Sequence, residues 1–302
     1  MDVSIIIVNY NTIALLVEAI ESIFKKSKGF NFEIIVVDNN STDSSKQILF
    51  EKYGNSVIYV ALPENVGFGR ANNEGLRIAK GRNILFLNPD IELQNNAIKI
   101  LSDYLDEHSD VGVVGGNLFS EEGNPTLSFS RILPSIWSEF DEFWLKGMFL
   151  RVLYGRNLTF NYLRRPLKVG YVCGADMMVP MKVLKEVGFF DPEFFMYFEE
   201  TELSYRISHK RYKIMNIPDA KITHLEGKSF KIKEEKIYQF IKGRFIYYKK
   251  TSNYFCRTIA NFQYWLNLYL RYLIWSVFDK QKKHIMEIYL QIYLQIKREL
   301  GI

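Results

Sequence analysis

Residues 3–11 read VSIIIVNYN and residues 32–43 read FEIIVVDNNSTD. Each is a short β-branched and aliphatic run closed by polar residues, so each predicts a buried strand that ends in a loop. Between them, Thr12 to Lys26 carries Ile13, Leu16, Ile20 and Ile23 at helical spacing. Further out, Ser56 to Ala61, Asn83 to Leu87 and Val111 to Gly115 repeat the strand pattern. Ser44 to Tyr53, after a Ser-Thr-Asp cap signal, and Ala71 to Ala79, after a glycine-rich turn, read as helices. Strand and helix in alternation predict an α/β fold, a Rossmann-like and mostly parallel sheet with helices on both faces.

In such a sheet the ligand sits beyond the carboxyl ends of the strands. The loops there are polar: VNYN (8–11), DNNSTD (38–43), PENVGFGRANNEG (63–75) and NPD (88–90). Asp38 closes the second strand, where its carboxylate either accepts a hydrogen bond from a ring N–H of a bound base or caps the next turn. Tyr10 suits stacking on that base, or packing. Asp90, held by Pro89, stands where a hard divalent cation and phosphate oxygens could meet. His224, after the run Lys221 to Thr223, is a further candidate ligand, against the more common structural role of a solitary histidine. Arg70 fits a phosphate partner and a solvated helix start equally.

Residues 188–206, GFFDPEFFMYFEETELSYR, set Glu199, Glu200 and Glu202 behind an apolar wall of Phe194, Phe195, Tyr197 and Phe198. Apolar surroundings and mutual repulsion raise carboxylate pKa values, as a general base near neutrality requires. The competing reading is an acidic first helical turn favoured by the dipole.

The rest of the chain bounds the function. Of 302 residues, 48% are hydrophobic and 24% charged, which excludes disorder and a collagen-like chain. Two cysteines, Cys173 and Cys256, suit a reducing compartment and cannot form a four-cysteine zinc site. No leader is visible at the N-terminus, and the apolar stretch from Thr258 to Phe278 is broken by Arg271, so the expectation is a cytoplasmic chain without a membrane span. Residues 116–169 lose the βα pattern. Regularity returns at Val169 to Cys173, with helices expected near Met181 to Glu186 and Glu200 to His209.

Beyond residue 230 the sequence reads as helical, basic and aromatic. From 231 on, 14 Lys or Arg stand against 5 Asp or Glu, within a chain whose net charge is +5. That composition suits the inner face of an anionic membrane, with an oligomer interface as an alternative and nucleic acid as a disfavoured rival. The expected division is therefore a catalytic domain over 1–230 and a helical C-terminal region over 231–302.

The strings VNYN, VVDNNSTD, NVGFGRANNEG, LFLNPD, GADMMVP and FFMYFEETELSYR, in this order and spacing, resemble family 2 glycosyltransferases of the GT-A fold, closest to the dTDP-rhamnosyltransferase-like branch. The resemblance covers residues 1–230. It implies inverting transfer of a sugar, rhamnose foremost, with glucose, galactose or N-acetylglucosamine as alternatives. The donor would be a dTDP- or UDP-sugar and the acceptor a hydroxyl of a saccharide or lipid-linked saccharide.

By that resemblance the nucleotide-sugar lies against Val8, Tyr10, Asn11, Asp38, Asn65, Gly67, Asn88, Asp90, Gly174 and Ala175. Asp90 matches the last acid of the metal motif, whose usual first acid is here Asn88. His224 matches the histidine that completes a Mg²⁺ or Mn²⁺ site. Glu200 stands at the position of the base, where the family usually has Asp, with Glu199 as the fallback. Gly69 joins Gly67 in a donor-binding turn, and Asp176 stands where the family often has a non-acidic residue. A sugar nucleotidyltransferase and a non-catalytic nucleotide or nucleic-acid binding module are the rival readings. A dehydrogenase is disfavoured, because VNYN replaces the glycine-rich turn after the first strand.

Overall fold

A computed structural model describes residues 1–225 and 233–301. These fall into two units, one of residues 1–133, 156–195 and 199–225, the other of 134–155, 196–198 and 233–301. The expected division at residue 230 lies outside the described residues.

The first unit begins with β1 (Val3–Asn9), α1 (Ile13–Lys26), β2 (Phe32–Asp38), α2 (Ser45–Tyr53), β3 (Ile58–Ala61), α3 (Phe68–Ile78) and β4 (Asn83–Leu87). It continues through β5 (Ile91–Leu93), α4 (Ala97–Glu107), β6 (Val111–Phe119) and β7 (Phe129–Ser130). After α5 (Ile136–Trp144) and α6 (Met148–Tyr154), which belong to the second unit, come β8 (Leu167–Lys168), β9 (Tyr171–Val172), β10 (Asp176–Pro180), α7 (Met181–Val187), α8 (Glu199–His209) and β11 (Lys213–His224). Then α9 (Lys233–Thr251), α10 (Tyr254–Phe278) and α11 (Lys280–Glu299) complete the second unit.

The main sheet runs β3-β2-β1-β4-β10-β6-β11-β5, with β8 also on β11. Strands β1, β2, β3, β4, β6 and β11 point one way, and β5, β8 and β10 the other. β1 and β4 are buried along their whole length, which is why each holds four consecutive apolar residues, Ile5 to Val8 and Ile84 to Leu87, rather than an alternating pattern. One face packs Leu16, Ile20 and Ile23 of α1 with Ile98 and Leu101 of α4. The other packs Ala71 and Leu76 of α3, Val183 and Leu184 of α7, and Leu203 and Ile207 of α8. The expected α/β sheet with helices on both faces is therefore present.

Three details differ from the sequence reading. Residues 176–180, given no strand in the sequence reading, form β10, a fully buried strand set antiparallel between β4 and β6. β5 and α4 occupy a stretch given no element, and α3 begins at Phe68, three residues ahead of the expected start. In the second unit, α5 packs on α10 through Phe143, which meets the Tyr264 ring at 5.7 Å.

Candidate active site

The carboxyl ends of β1 and β2 are tied side by side, since Asn9 and Asp38 are register partners. Asn9 is fully buried, and its Nδ2 lies 2.7 Å from Asp38 Oδ1, 2.8 Å from Ser45 Oγ and 3.0 Å from Ser41 Oγ. Asp38 Oδ2 accepts from the Ser41 N–H at 3.1 Å. The Tyr59 hydroxyl also donates to Asp38; burial first, and then that carboxylate, push the phenol upward. Asp38 thus caps the turn, as one of its two sequence readings had it, and is buried. Val8 is buried in the β1 core, while Tyr10 is 44% exposed beside it. Asn11 adopts φ 56°, and its Oδ1 accepts from the Thr42 N–H at 2.7 Å.

Asn39 links this corner to the third loop. Its Nδ2 donates to Asn65 Oδ1 at 2.8 Å, and its Oδ1 accepts from the Val66 N–H at 2.9 Å. Gly67 is left-handed at φ +88°, and a Cβ there would overlap the Phe195 carbonyl, so no other residue fits. That carbonyl accepts from the Phe68 N–H at 2.8 Å. Asn73 holds the same loop through Phe190, donating to its carbonyl at 2.8 Å and accepting from its N–H at 3.1 Å. Arg70 donates from Nε to the Pro192 carbonyl at 2.7 Å, a partner neither reading of that residue named.

The loop brings α8 to the site. The Gly69 Cβ position lies 3.6 Å from Glu199 Cβ, and that of Gly174 lies 3.6 Å from Glu200 Cγ. Glu199 is buried, and its carboxyl is held well above the ordinary range by burial, then by the charge of Glu200. Glu200 is half-buried and also raised, chiefly by burial. Hydrogen bonds from its own N–H, the Thr201 N–H and the Thr201 hydroxyl, the last at 3.0 Å, work against that rise. Glu202 is different: Arg206 Nε donates to its two oxygens at 2.8 and 3.0 Å. The same guanidinium holds the Val187 and Phe189 carbonyls at 2.7 Å, so Glu202 fixes α8 in place. Ahead of Glu199, Tyr197 and Phe198 are both left-handed, at φ 70° and 69°. Each costs about 1–2 kcal/mol for a residue with a Cβ.

From Gly174 the contacts close on the fourth loop. The Asn88 N–H donates to the Ala175 carbonyl at 3.0 Å, and Asn88 Nδ2 lies 3.4 Å from His224 Nε2. That nitrogen is 3.3 Å from Asp90 Oδ1, with both residues buried. Asp176 is wholly buried in β10, its Oδ2 accepting from the Gly116 N–H, and burial raises its carboxyl.

Asp90 and His224 offer one carboxylate oxygen and one imidazole nitrogen close enough to face a common ion. Among the described residues no group of three or more His, Cys, Asp or Glu side chains is placed to hold a metal. Two protein donors fit a cation whose remaining positions are filled by phosphate and water, and the imidazole suits Mn²⁺ better than Mg²⁺.

Of the expected residues, Asn65 is bonded to Asn39 beside Asp38, Glu199 and Glu200 pass close to Gly69 and Gly174, Asn88 is bonded to Ala175, and His224 lies between Asn88 and Asp90, while Val8, Tyr10 and Asn11 stand at the Asp38 end. Asn9, Asn39 and Asn73, which brace these loops, were not singled out from sequence. Asn9 had a legible signal, as a polar residue ending a buried aliphatic strand.

The chain is 27% identical over 217 residues to the low-salt glycan biosynthesis hexosyltransferase Agl10 of Haloferax volcanii, covering 70% of this chain and 64% of that protein. It is 37% identical over 144 residues to the minor teichoic acid biosynthesis protein GgaB of Bacillus subtilis, covering 44% of this chain and 16% of the relative. It is 24% identical over 212 residues to the N-acetylglucosaminyl-diphospho-decaprenol L-rhamnosyltransferase of Mycobacterium tuberculosis, covering 65% and 67%. The chain spans from about one sixth to just under two thirds of the length of GgaB and Agl10. Among solved structures, S. aureus TarS 1–349 with UDP superposes with TM-score 0.55 at 19% identity, over 98% of this chain and 81% of that one. GalNAc-T7 with UDP, GalNAc and Mn²⁺ superposes with TM-score 0.62 at 15% identity, over 98% and 56%. Both likenesses are of fold. The family model described as "Glycosyl transferase family 2" matches residues 4–188, and the chain belongs to that family.

Proposed function

We propose that the chain is an inverting glycosyltransferase, moving a sugar from a dTDP- or UDP-sugar to a hydroxyl of a saccharide or lipid-linked saccharide in cell-surface glycan synthesis. The observation that best supports this reading is the approach of Glu200 to Gly174, next to the Ala175 carbonyl that accepts from the Asn88 N–H, with Asn88 3.4 Å from the His224 that lies 3.3 Å from Asp90. Rhamnose is the favoured sugar, supported by the mycobacterial relative's being an L-rhamnosyltransferase. Glucose, galactose and N-acetylglucosamine are the alternatives.

Asp38 receives an N–H of the base, and the loop at Asn65 and Gly67 lets backbone approach the nucleotide closely. Glu200 takes the proton of the acceptor hydroxyl as its oxygen bonds to the anomeric carbon and the bond from that carbon to the diphosphate breaks. Its raised pKa suits a base that works near neutrality, and such a base is worth about 10² to 10⁴ in rate. A divalent cation, which Asp90 and His224 would hold, supplies positive charge for the departing diphosphate. Glu199, buried and raised further, is the fallback base.

Purified protein is offered dTDP-rhamnose, UDP-glucose, UDP-galactose and UDP-N-acetylglucosamine, with and without Mn²⁺ or Mg²⁺. The expected product is a nucleoside diphosphate, lost on chelation and restored best by Mn²⁺; pyrophosphate would select a nucleotidyltransferase instead. Glu200→Gln should lower kcat by about 10² to 10⁴ while calorimetry shows nucleotide binding intact. Wild-type turnover in that variant removes Glu200 from the mechanism.

The second unit supports action at an anionic membrane surface. Among the described residues no helix is long and apolar enough to cross a membrane. On α10, however, Phe262, Tyr269, Leu270, Leu273, Ile274, Val277 and Phe278 are all exposed, at the three- and four-residue steps of one helix face. Lys282 Nζ lies 4.3 Å from the centre of the Trp275 ring, and Lys283 Nζ 5.7 Å from that of Tyr272, which sets cations beside this stripe. An apolar face flanked by lysines suits a lipid interface.

A further inference from the structure

We propose that one face of the β7–β9 ribbon, carrying Ser130 and Tyr171, binds the acceptor as a sugar ring beside Glu200; this rests on reading Glu200 as the base of a glycosyl transfer. The ribbon has two unlike sides, because successive residues of a strand point to opposite faces. Phe129 of β7 and Val172 of β9 are register partners, and both are buried in the core that α8 enters through Leu203 and Ile207. Ser130 and Tyr171 are also register partners and so share the other side, which Cys173, two positions after Tyr171, continues. All three are partly exposed.

Two observations aim this side at the base. The chain runs from Tyr171 through Cys173 into Gly174, whose Cβ position lies 3.6 Å from Glu200 Cγ, so the ribbon ends against Glu200. The side chains agree with the backbone. Burial first, then the charges of Glu200 and Cys173, push the Tyr171 phenol upward, while hydrogen bonding with Ser130 works against that rise. The phenol therefore keeps its proton wherever the enzyme works and stands as a neutral hydroxyl within the field of Glu200.

The ribbon is also held firmly. The Ser128 and Phe129 N–H groups donate to the Thr159 carbonyl at 3.0 and 3.3 Å, and the Arg131 N–H donates to the Leu158 carbonyl at 3.2 Å. Across the ribbon the Gly170 N–H meets the Ser130 carbonyl at 2.8 Å and the Cys173 N–H the Ser128 carbonyl at 2.9 Å. A Cβ on Gly170 would overlap the backbone of Ile132 and Leu133, so only glycine allows this approach. Ser130 Oγ is fixed by donating to the Ile132 carbonyl at 2.9 Å. Ser130 and Tyr171 take no part in the expected donor contacts, which on this stretch begin at Gly174. An aromatic ring with a few placed hydroxyls is the lining that a sugar requires, its C–H face against the ring and its rim hydroxyls against Tyr171 and Ser130.

The test separates acceptor binding from folding and from donor binding. Tyr171→Phe keeps the ring and removes only the hydroxyl. The assay is nucleoside diphosphate release from whichever of dTDP-rhamnose, UDP-glucose, UDP-galactose and UDP-N-acetylglucosamine is turned over. The acceptors are p-nitrophenyl glycosides of glucose, galactose and N-acetylglucosamine, and undecaprenyl-diphosphate N-acetylglucosamine. We expect Tyr171→Phe and Ser130→Ala each to raise the acceptor KM about 3- to 10-fold, and Tyr171→Ala, which also removes the ring, to raise it further. Donor KM, the UDP or dTDP dissociation constant and donor hydrolysis by water should stay within about twofold, a split that a merely structural role would not produce.

An unchanged acceptor KM in Tyr171→Phe overturns the proposal, as do equal losses toward donor and acceptor. A wild-type protein that hydrolyses the donor but is accelerated by none of these sugars overturns it too. Should Tyr171→Phe not fold, Ser130→Ala decides alone, by the same split. Glu200→Gln tells the two failures apart. If that variant turns over like the wild type, the base assignment beneath the proposal falls; if it is inactive while Tyr171→Phe keeps the wild-type acceptor KM, only the acceptor face falls.

Discussion

Glu199 and Glu200 are neighbours in sequence, but their surroundings differ. Glu199 is buried with its charge opposed by burial and by Glu200, whereas Glu200 is half-buried beside Gly174 and receives the Thr201 hydroxyl. A carboxyl raised in the folded state binds its proton more tightly there than in the unfolded chain. Its contribution to stability is complete below the unfolded value, near 4.3, and is lost as pH rises through the folded one. Glu199→Gln, which cannot ionise, should therefore raise Tm by about 2–4 °C per kcal/mol relieved at pH 8 and by much less at pH 5, as read by calorimetric scans at the two values. The same logic places the acid limb of the wild-type kcat profile above the ordinary glutamate range, and Glu200→Gln should abolish that limb. Sequence made Asp38, Asp90 and Glu200 legible because each follows an aliphatic or aromatic run. It left Asn9, Asn39 and Asn73 out because a bracing amide is defined by partners about 30 to 120 positions away.

At the scale of elements, the strands β1, β2 and β4 were readable because burial gives each a run of four consecutive apolar residues, Ile5 to Val8, Ile34 to Val37 and Ile84 to Leu87. β10 was not, because its five residues open on Asp176 and close on Pro180, both of which locally favour a turn. Tertiary pairing with β4 overrides that preference. The exposed stripe of α10 makes a prediction at the same scale. Val277→Glu with Phe278→Glu should reduce co-sedimentation with phosphatidylglycerol vesicles at least about tenfold, since each substitution exchanges an interfacial apolar side chain for a like charge. Unchanged binding, or a dimer in solution that the double variant dissolves, would assign the stripe to another copy of the chain.

At the scale of the molecule, the second unit is organised around Arg244, whose side chain is 2% exposed. Its Nε donates to Glu139 Oε1 at 2.7 Å, its Nη1 to Asn261 Oδ1 at 3.1 Å and its Nη2 to the Ala260 carbonyl at 2.7 Å, with the Tyr248 and Tyr264 rings 4.8 and 4.6 Å away. Removing one partner of a buried pair leaves the other charge uncompensated. Glu139→Gln should thus cost about 3–5 kcal/mol in urea unfolding of this unit, and the same loss should follow Arg244→Met. No sequence pattern announced the pair, because Glu139 sits in the irregular middle stretch and Arg244 more than one hundred residues later.

That pair also shows how the chain is threaded. It enters the second unit at residue 134, leaves at 156, returns for residues 196–198 and comes back for the C-terminal helices. Neither unit is a cassette. A chain cut at residue 230 would strand Glu139 and α5 without the helices that neutralise and cover them, so domain swapping between relatives at that point should yield insoluble protein, and only grafts that carry all three segments together should be inherited intact.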